Sequence, residues 1–175
     1  MNEIVVTAVG EDRPGIVAAL TGALLDIGGN LADVRAALLR GSFATMLAVT
    51  VPDGVGAADV ERALRPVADE LGLGLHAAPA AAVHAGPVRE RAVLSVYGAD
   101  RPGIVHGIAA ALAGHGANIL DLSARLVGDP AIYVLGIELE LPEGLDAGAL
   151  HDRLVPVAAE HGVELTLDDE GDEIL

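Results

Sequence analysis

One eight-residue segment recurs in this chain with a single substitution, and that repetition constrains the fold more than any other feature. Gly10-Glu-Asp-Arg-Pro-Gly-Ile-Val17 recurs as Gly98-Ala-Asp-Arg-Pro-Gly-Ile-Val105, 88 residues further on. The same offset, without a gap, aligns Gly28 with Gly116, Asn30 with Asn118 and Asp33 with Asp121. Later, Leu64-Arg-Pro-Val-Ala68 matches Leu154-Val-Pro-Val-Ala158 at an offset of 90, so two extra residues fall between, most simply in the turn Val127-Gly-Asp-Pro130. A chain of 175 residues is therefore expected to hold two small domains built on one plan. The expected boundaries are 1–78 and 90–168, joined by an Ala/Pro-rich linker at 79–89 and followed by an acidic tail at 169–175.

The hydrophobic period changes in the same order in both copies. The β-branched runs Ile4 to Val9 and Ala92 to Tyr97 each end at glycine and predict buried strands. Ile16, Leu20, Leu24 and Ile27 then follow helical spacing, echoed by Ile104, Ile108 and Leu112, and glycines close both helices. Alternation returns from Leu31 to Leu39, with Asp33 and Arg35 on one face and Ala32, Val34, Ala36 and Leu38 on the other. A further strand, a second helix (about 57–71 and 146–161) and a short last strand complete each copy. Strand, helix, strand, strand, helix, strand, with right-handed crossovers, gives an α+β fold of two ferredoxin-like βαββαβ domains. Each has an antiparallel four-stranded sheet with both helices on one face. Apolar residues on both faces of Phe43 to Val51 suit an interface, and the two copies are expected to pair.

Composition removes several function classes. Ten cations, all arginine, against 26 acidic residues leave a charge of −16, which argues against nucleic-acid binding. Zero cysteine excludes thiolate metal sites and a cysteine nucleophile, and the absence of lysine excludes a Walker-type phosphate loop. His106 and His115, nine residues apart, fall on opposite sides of a helix and show no metal spacing. Gly54-Val-Gly56-Ala-Ala-Asp59 resembles a dinucleotide fingerprint, but Asp59 stands where the third glycine would be, so the segment is a loop and helix cap. No signal peptide or membrane span is visible; a cytoplasmic, non-membrane protein without metal or cofactor is expected.

The turn from first strand to first helix carries the remaining chemistry. In Asp12-Arg-Pro-Gly15 the proline is expected at the first helical position, with the aspartate upstream capping free N–H groups. Exposed amides at Gly15 and Ile16, and at Gly103 and Ile104, suit a carboxylate. Asn30 and Asn118 open the second strand, near the same loop or the facing copy, and with Asp12 they suit an ammonium group. Turn chemistry alone accounts for the same residue types, with Asn30 at a positive φ.

The pattern Asp-Arg-Pro-Gly-Ile-Val, a helix, then Gly-x-Asn-(Leu/Ile) in a βαββαβ unit resembles the ACT domain family, whose members often bind amino acids. The tandem arrangement is similar to the glycine cleavage system repressor group. The resemblance implies ligand contacts at Gly10, Asp12, Gly15, Ile16 and Asn30, and at Gly98, Asp100, Gly103, Ile104 and Asn118, often across a domain interface. It implies a non-catalytic regulator that binds a small amino acid and engages another regulatory protein or an enzyme, as in control of transcription, with homodimer formation as a further option. Two other readings stay open. One is a ligand-free interaction scaffold; the other is an acylphosphatase-like hydrolase using Arg13 with Asn30.

Overall fold

A computed structural model of the chain describes residues 1–81 and 89–169. It divides into two compact units, Met1–His84 and Ala85–Leu175. The first contains β1 (Asn2–Glu11), α1 (Ile16–Asp26), β2 (Asn30–Leu39), β3 (Ser42–Val51), α2 (Ala57–Leu71) and β4 (Gly74–Pro79). The second repeats this order as β5 (Arg91–Gly98), α3 (Ile104–Gly114), β6 (Asn118–Val127), β7 (Ile132–Glu140), α4 (Ala147–His161) and β8 (Val163–Asp169). Each unit has one antiparallel sheet, ordered β2-β3-β1-β4 and β6-β7-β5-β8, as the ferredoxin-like expectation requires. Most of the expected linker (82–88) and of the acidic tail (170–175) lies outside the described residues, while Pro79 and Asp169 belong to strands. Among the described residues no helix is long and apolar enough to cross a membrane.

Burial explains why these segments take these shapes. Alternate residues of the central strands point under the helices: Ile4, Val6 and Ala8 of β1 with Leu47, Val49 and Val51 of β3, covered by Ile16, Leu20 and Leu24 of α1 and Val60, Leu64 and Ala68 of α2. The second unit buries Leu94, Val96, Leu135, Ile137 and Leu139 beneath Ile104, Ile108, Leu112, Leu150, Leu154 and Ala158. A period of two meets a period of 3.6 at one layer of apolar surface.

Beyond the helices the pattern changes. β2 and β6 form one edge of each sheet, and every residue from Ala32 to Leu39 is exposed, Leu39 to 72%. The alternation expected there is interrupted: Leu31 pairs with Val49 and Asp33 with Ala48, leaving Ala32 as the extra residue of a bulge. Leu120 occupies the same place in the second unit, between Ile119 and Asp121. The hairpin that follows β2 turns on Arg40 and Gly41, both at positive φ (49° and 83°), as a two-residue hairpin loop demands. Its counterpart uses residues 128–131, and those two additional residues account for the change of offset from 88 to 90.

At the start of α2, Asp59 accepts a hydrogen bond from the Gly56 main-chain N–H (3.0 Å) and pairs with Arg62 (2.8 Å). This bears out Gly54–Asp59 as a loop and cap. The Gly56 N–H first, then Arg62, holds the Asp59 carboxyl below its ordinary value of 3.8. A depressed folded value means that the contribution is complete above the unfolded pKa and disappears as pH falls through the folded one. Asp59→Asn is therefore expected to lower the unfolding midpoint at pH 7, with the gap from wild type narrowing as denaturation is repeated below pH 4.

Gly10 and Gly98 show the tightest packing in the site loops. A Cβ on Gly98 would stand 2.8 Å from Val163 Cγ1 and 3.2 Å from the Gly162 carbonyl oxygen; one on Gly10 would stand 2.6 Å from Leu73 Cδ2 and 3.0 Å from the Gly72 oxygen. Gly98→Ala should destabilise the second unit by about 1–3 kcal/mol, measured by urea denaturation.

Candidate functional site

The β1–α1 turn is built by Arg13-Pro14-Gly15-Ile16. Gly15 sits at φ 97°, ψ −7°, the values of the third residue of a type II turn, with proline favoured just before it. Gly103 repeats this at 96° and −12°. The helices start at Ile16 and Ile104, so Pro14 is not the first helical residue, contrary to the sequence expectation. Asp12 does not cap either: no side chain caps α1 or α3, and the first helical bonds run from Ala19 N–H to the Gly15 oxygen (2.9 Å) and from Gly107 N–H to the Gly103 oxygen (2.8 Å). The reason is that left-handed glycine, not proline, makes the bend into the helix.

The main chain of Asp12 donates to the Gly41 oxygen (2.9 Å), tying the turn to the β2–β3 hairpin. Its carboxylate makes no hydrogen bond or ion pair among the described residues, and neither does that of Asp100. Both are exposed. Ile16 and Ile104 contribute side chains to the core, so only their main-chain N–H groups face the turn. Around Gly15 the surface is bare, with no atom within 4 Å of the place a Cβ would take.

Asn30 and Asn118 do not join these turns within their own copies. Asn30 pairs with Thr50, which pairs with Glu3, whereas the turn follows Glu11. Eight residues of extended chain separate the two levels, about 26 Å along the sheet. Asn118 is in register with Glu140 and Arg91, at the far end of β5 from Gly98. A βαβ connection returns the chain to the start of the sheet before the next parallel strand begins, so the expectation of nearness within one copy fails. Asn30 is also not at positive φ; Gly28, at 73°, is. The same separation removes Arg13 with Asn30 as a hydrolase pair inside one copy, and Arg13 is bound to Glu11 at 3.0 Å.

A cavity of about 390 Å³ lies at the turn end of the second unit, lined by Tyr97, Gly98, Ala99, Ala131, Ile132, Gly162 and Glu164. Burial, and then the charge of Asp100, push the Tyr133 phenol above its ordinary value of 10.0. Larger open cavities, about 450 and 580 Å³, sit at the other end of each sheet, beside the starts of α4 and α2. They coincide with none of the expected turn residues. Among the described residues no group of His, Cys, Asp and Glu could hold a metal ion.

Two ferredoxin-like units, each opening a glycine-bent turn at one end of its sheet, define a class of small tandem domain. The chain belongs to the ACT domain family, whose model matches residues 2–78 and 90–168. Over 80 residues it is 40% identical to a UPF0237 protein of Methanopyrus kandleri, covering 46% of this chain and 88% of that one, so the relative corresponds to a single copy. A phosphoserine phosphatase of Mycobacterium tuberculosis is 28% identical over 172 residues, 96% of this chain but 41% of that protein. Among solved structures, an unknown protein from Galdieria sulphuraria superposes with a TM-score of 0.85 at 29% identity, covering 96% of this chain and 98% of the other. A candidate glycine cleavage system transcriptional repressor superposes at 0.73 with 20% identity and 96% coverage of both, a likeness of fold.

Because the Gly15 corner is sterically open, replacing this glycine tests the backbone alone. Gly15→Ala is expected to cost about 1–2 kcal/mol through the left-handed φ. Gly22, exposed in α1 with nothing near its Cβ position, is the control. Gly22→Ala should gain roughly 0.5–1 kcal/mol by the same denaturation measurement.

Proposed function

We propose that this protein is a non-catalytic regulator that binds a small amino acid at its strand–helix turns and passes the signal through contacts with another protein. The observation that carries the reading is the repeated uncapped turn. It combines a left-handed glycine, uncapped main-chain N–H groups at a helix start and an aspartate whose carboxylate has no partner among the described residues. Main-chain N–H groups there suit a carboxylate, and an unengaged aspartate suits an ammonium group. The family supports it, since the turn motif and the asparagine of both copies fall inside the matched residues.

The separation of Asn30 from its own turn indicates how such a site is completed. Antiparallel pairing of two β2-type edges sets the start of one strand beside the far end of the other, where the turn of the second unit lies. The exposed, open edge of β2 suits such pairing with a second copy of the chain. An amino acid would then bridge the turn of one chain and the asparagine of a second chain, favouring association by its differential affinity. With a charge of −16, any effect on transcription would run through a partner protein rather than through DNA.

A thermal-shift screen against the twenty amino acids tests this reading. A ligand at 100 times its dissociation constant should add about 2.7 kcal/mol of stability. Asn30→Ala with Asn118→Ala should weaken that ligand about tenfold, near 1.4 kcal/mol, while leaving the ligand-free midpoint unchanged. No stabilisation by any amino acid would leave the interaction-scaffold reading in its place.

A further inference from the structure

The two turns share a backbone but not a charge environment. In the first copy Arg13 is held by Glu11 at 3.0 Å, and no atom lies within 4 Å of a Cβ built on Gly15 or on Gly72 at the end of α2. In the second, Ala99 takes the place of Glu11, and among the described residues Arg101 has no ion-pair partner. Its guanidinium lies instead on Gly162, Nη1 being 2.7 Å from the Cβ position of that glycine. The imidazole of His161, which replaces Leu71, covers the beginning of α3: Cε1 is 3.5 Å from the Cβ position of Gly103, and Nε2 is 2.1 Å from that of Gly107. The first copy has Ala19 where Gly107 stands, so the ring fits only because its neighbour has no side chain. A small and a large residue have changed together, bringing an imidazole and an unpaired guanidinium to one corner. Gly162 and Ala99 of this corner also line the 390 Å³ cavity.

We infer that the second copy presents an anion-binding corner formed by Arg101 and His161, and that the first copy does not. The ligand class is a small carboxylate or phosphate anion seated beside Gly162 and Ala99, where Arg101 and His161 have no ion-pair partner among the described residues, although Glu164 lines the same cavity and Asp100 precedes the arginine. Where the regulator proposed above binds an amino acid, this corner takes its carboxylate and makes the two copies unequal. That last step alone rests on the sensor reading.

The test titrates acetate, glycine and inorganic phosphate separately into the full chain. NMR follows the amide signals of Gly15, Ile16, Gly103 and Ile104 and the ring signals of the histidines. Shifts at Gly103, Ile104 and His161 are expected at concentrations about tenfold below those needed at Gly15 and Ile16. Ala99→Glu, which restores the ion-pair partner of the first copy, and Gly107→Ala with His161→Leu, which restores its Ala/Leu pair, should each weaken the response about tenfold. A preference for acetate and glycine identifies a carboxylate ligand; a preference for phosphate identifies a phosphoryl one. Equal response in both copies, no response to any probe, or unchanged binding by Ala99→Glu would overturn the inference. Stabilisation by an amino acid without a response at His161 would remove the corner and leave the sensor. Acetate binding at His161 with no amino acid stabilising the chain would do the reverse.

Discussion

A left-handed glycine at the end of a strand–helix turn is the constraint on which each half of this molecule depends. The chain leaves β1 or β5, must reverse direction within a few residues, and must present Ile16 or Ile104 to the core at once. Proline supplies a fixed φ and glycine the positive one, which an L side chain adopts only at a cost. Gly10 and Gly98 have a different duty, because the turn after the second helix passes too close for a Cβ. Three residue types of the repeated motif thus have backbone or packing reasons. The aspartate has none, since its carboxylate engages no group among the described residues. It is the one position of the motif whose side chain the fold does not explain.

The second consequence is geometric. The helices on one face cover β1, β3 and the edge strand that follows the second helix, β4 or β8, but do not reach the opposite edge, so β2 and β6 keep apolar side chains in solvent. The βαβ path also starts these edge strands at the end of the sheet opposite the turn. An asparagine there and a turn here cannot grip one small molecule inside a single copy.

Much of this was legible in the sequence because duplication samples each position twice. The period of Ile16, Leu20 and Leu24, echoed by Ile104, Ile108 and Leu112, marked helices whose buried faces are those residues. The bulges at Ala32 and Leu120 were not legible, since an inserted residue in an exposed strand breaks no burial pattern. The helix starts came out two residues late because a Pro-Gly pair serves equally at a first helical position or in a type II turn, and only φ separates them. Of the two placements open to Asn30, beside its own turn or beside a facing copy, the first is excluded only by the strand register, which the sequence does not display. His161 and Gly107 were missed although a signal existed: they are the paired departures from Leu71 and Ala19 between two copies otherwise alike.

Differences between the copies are of two kinds, one in the core and one at the turn. In the core, Thr45 of the first unit spends its hydroxyl on the Arg35 carbonyl (2.9 Å), and Leu135 fills the same place in the second without any such bond. Both solutions bury the position, and the hydroxyl where present is hydrogen-bonded, so the exchange leaves no buried polar side chain unpaired there. At the turn, the exchanges Glu11 for Ala99 and Leu71 for His161 leave the backbone unaltered, with Gly15 and Gly103 within one degree in φ, yet they alter which charges meet a visitor. The frame is held constant while the charged groups around it differ, so one backbone plan, used twice, carries two electrostatic surroundings.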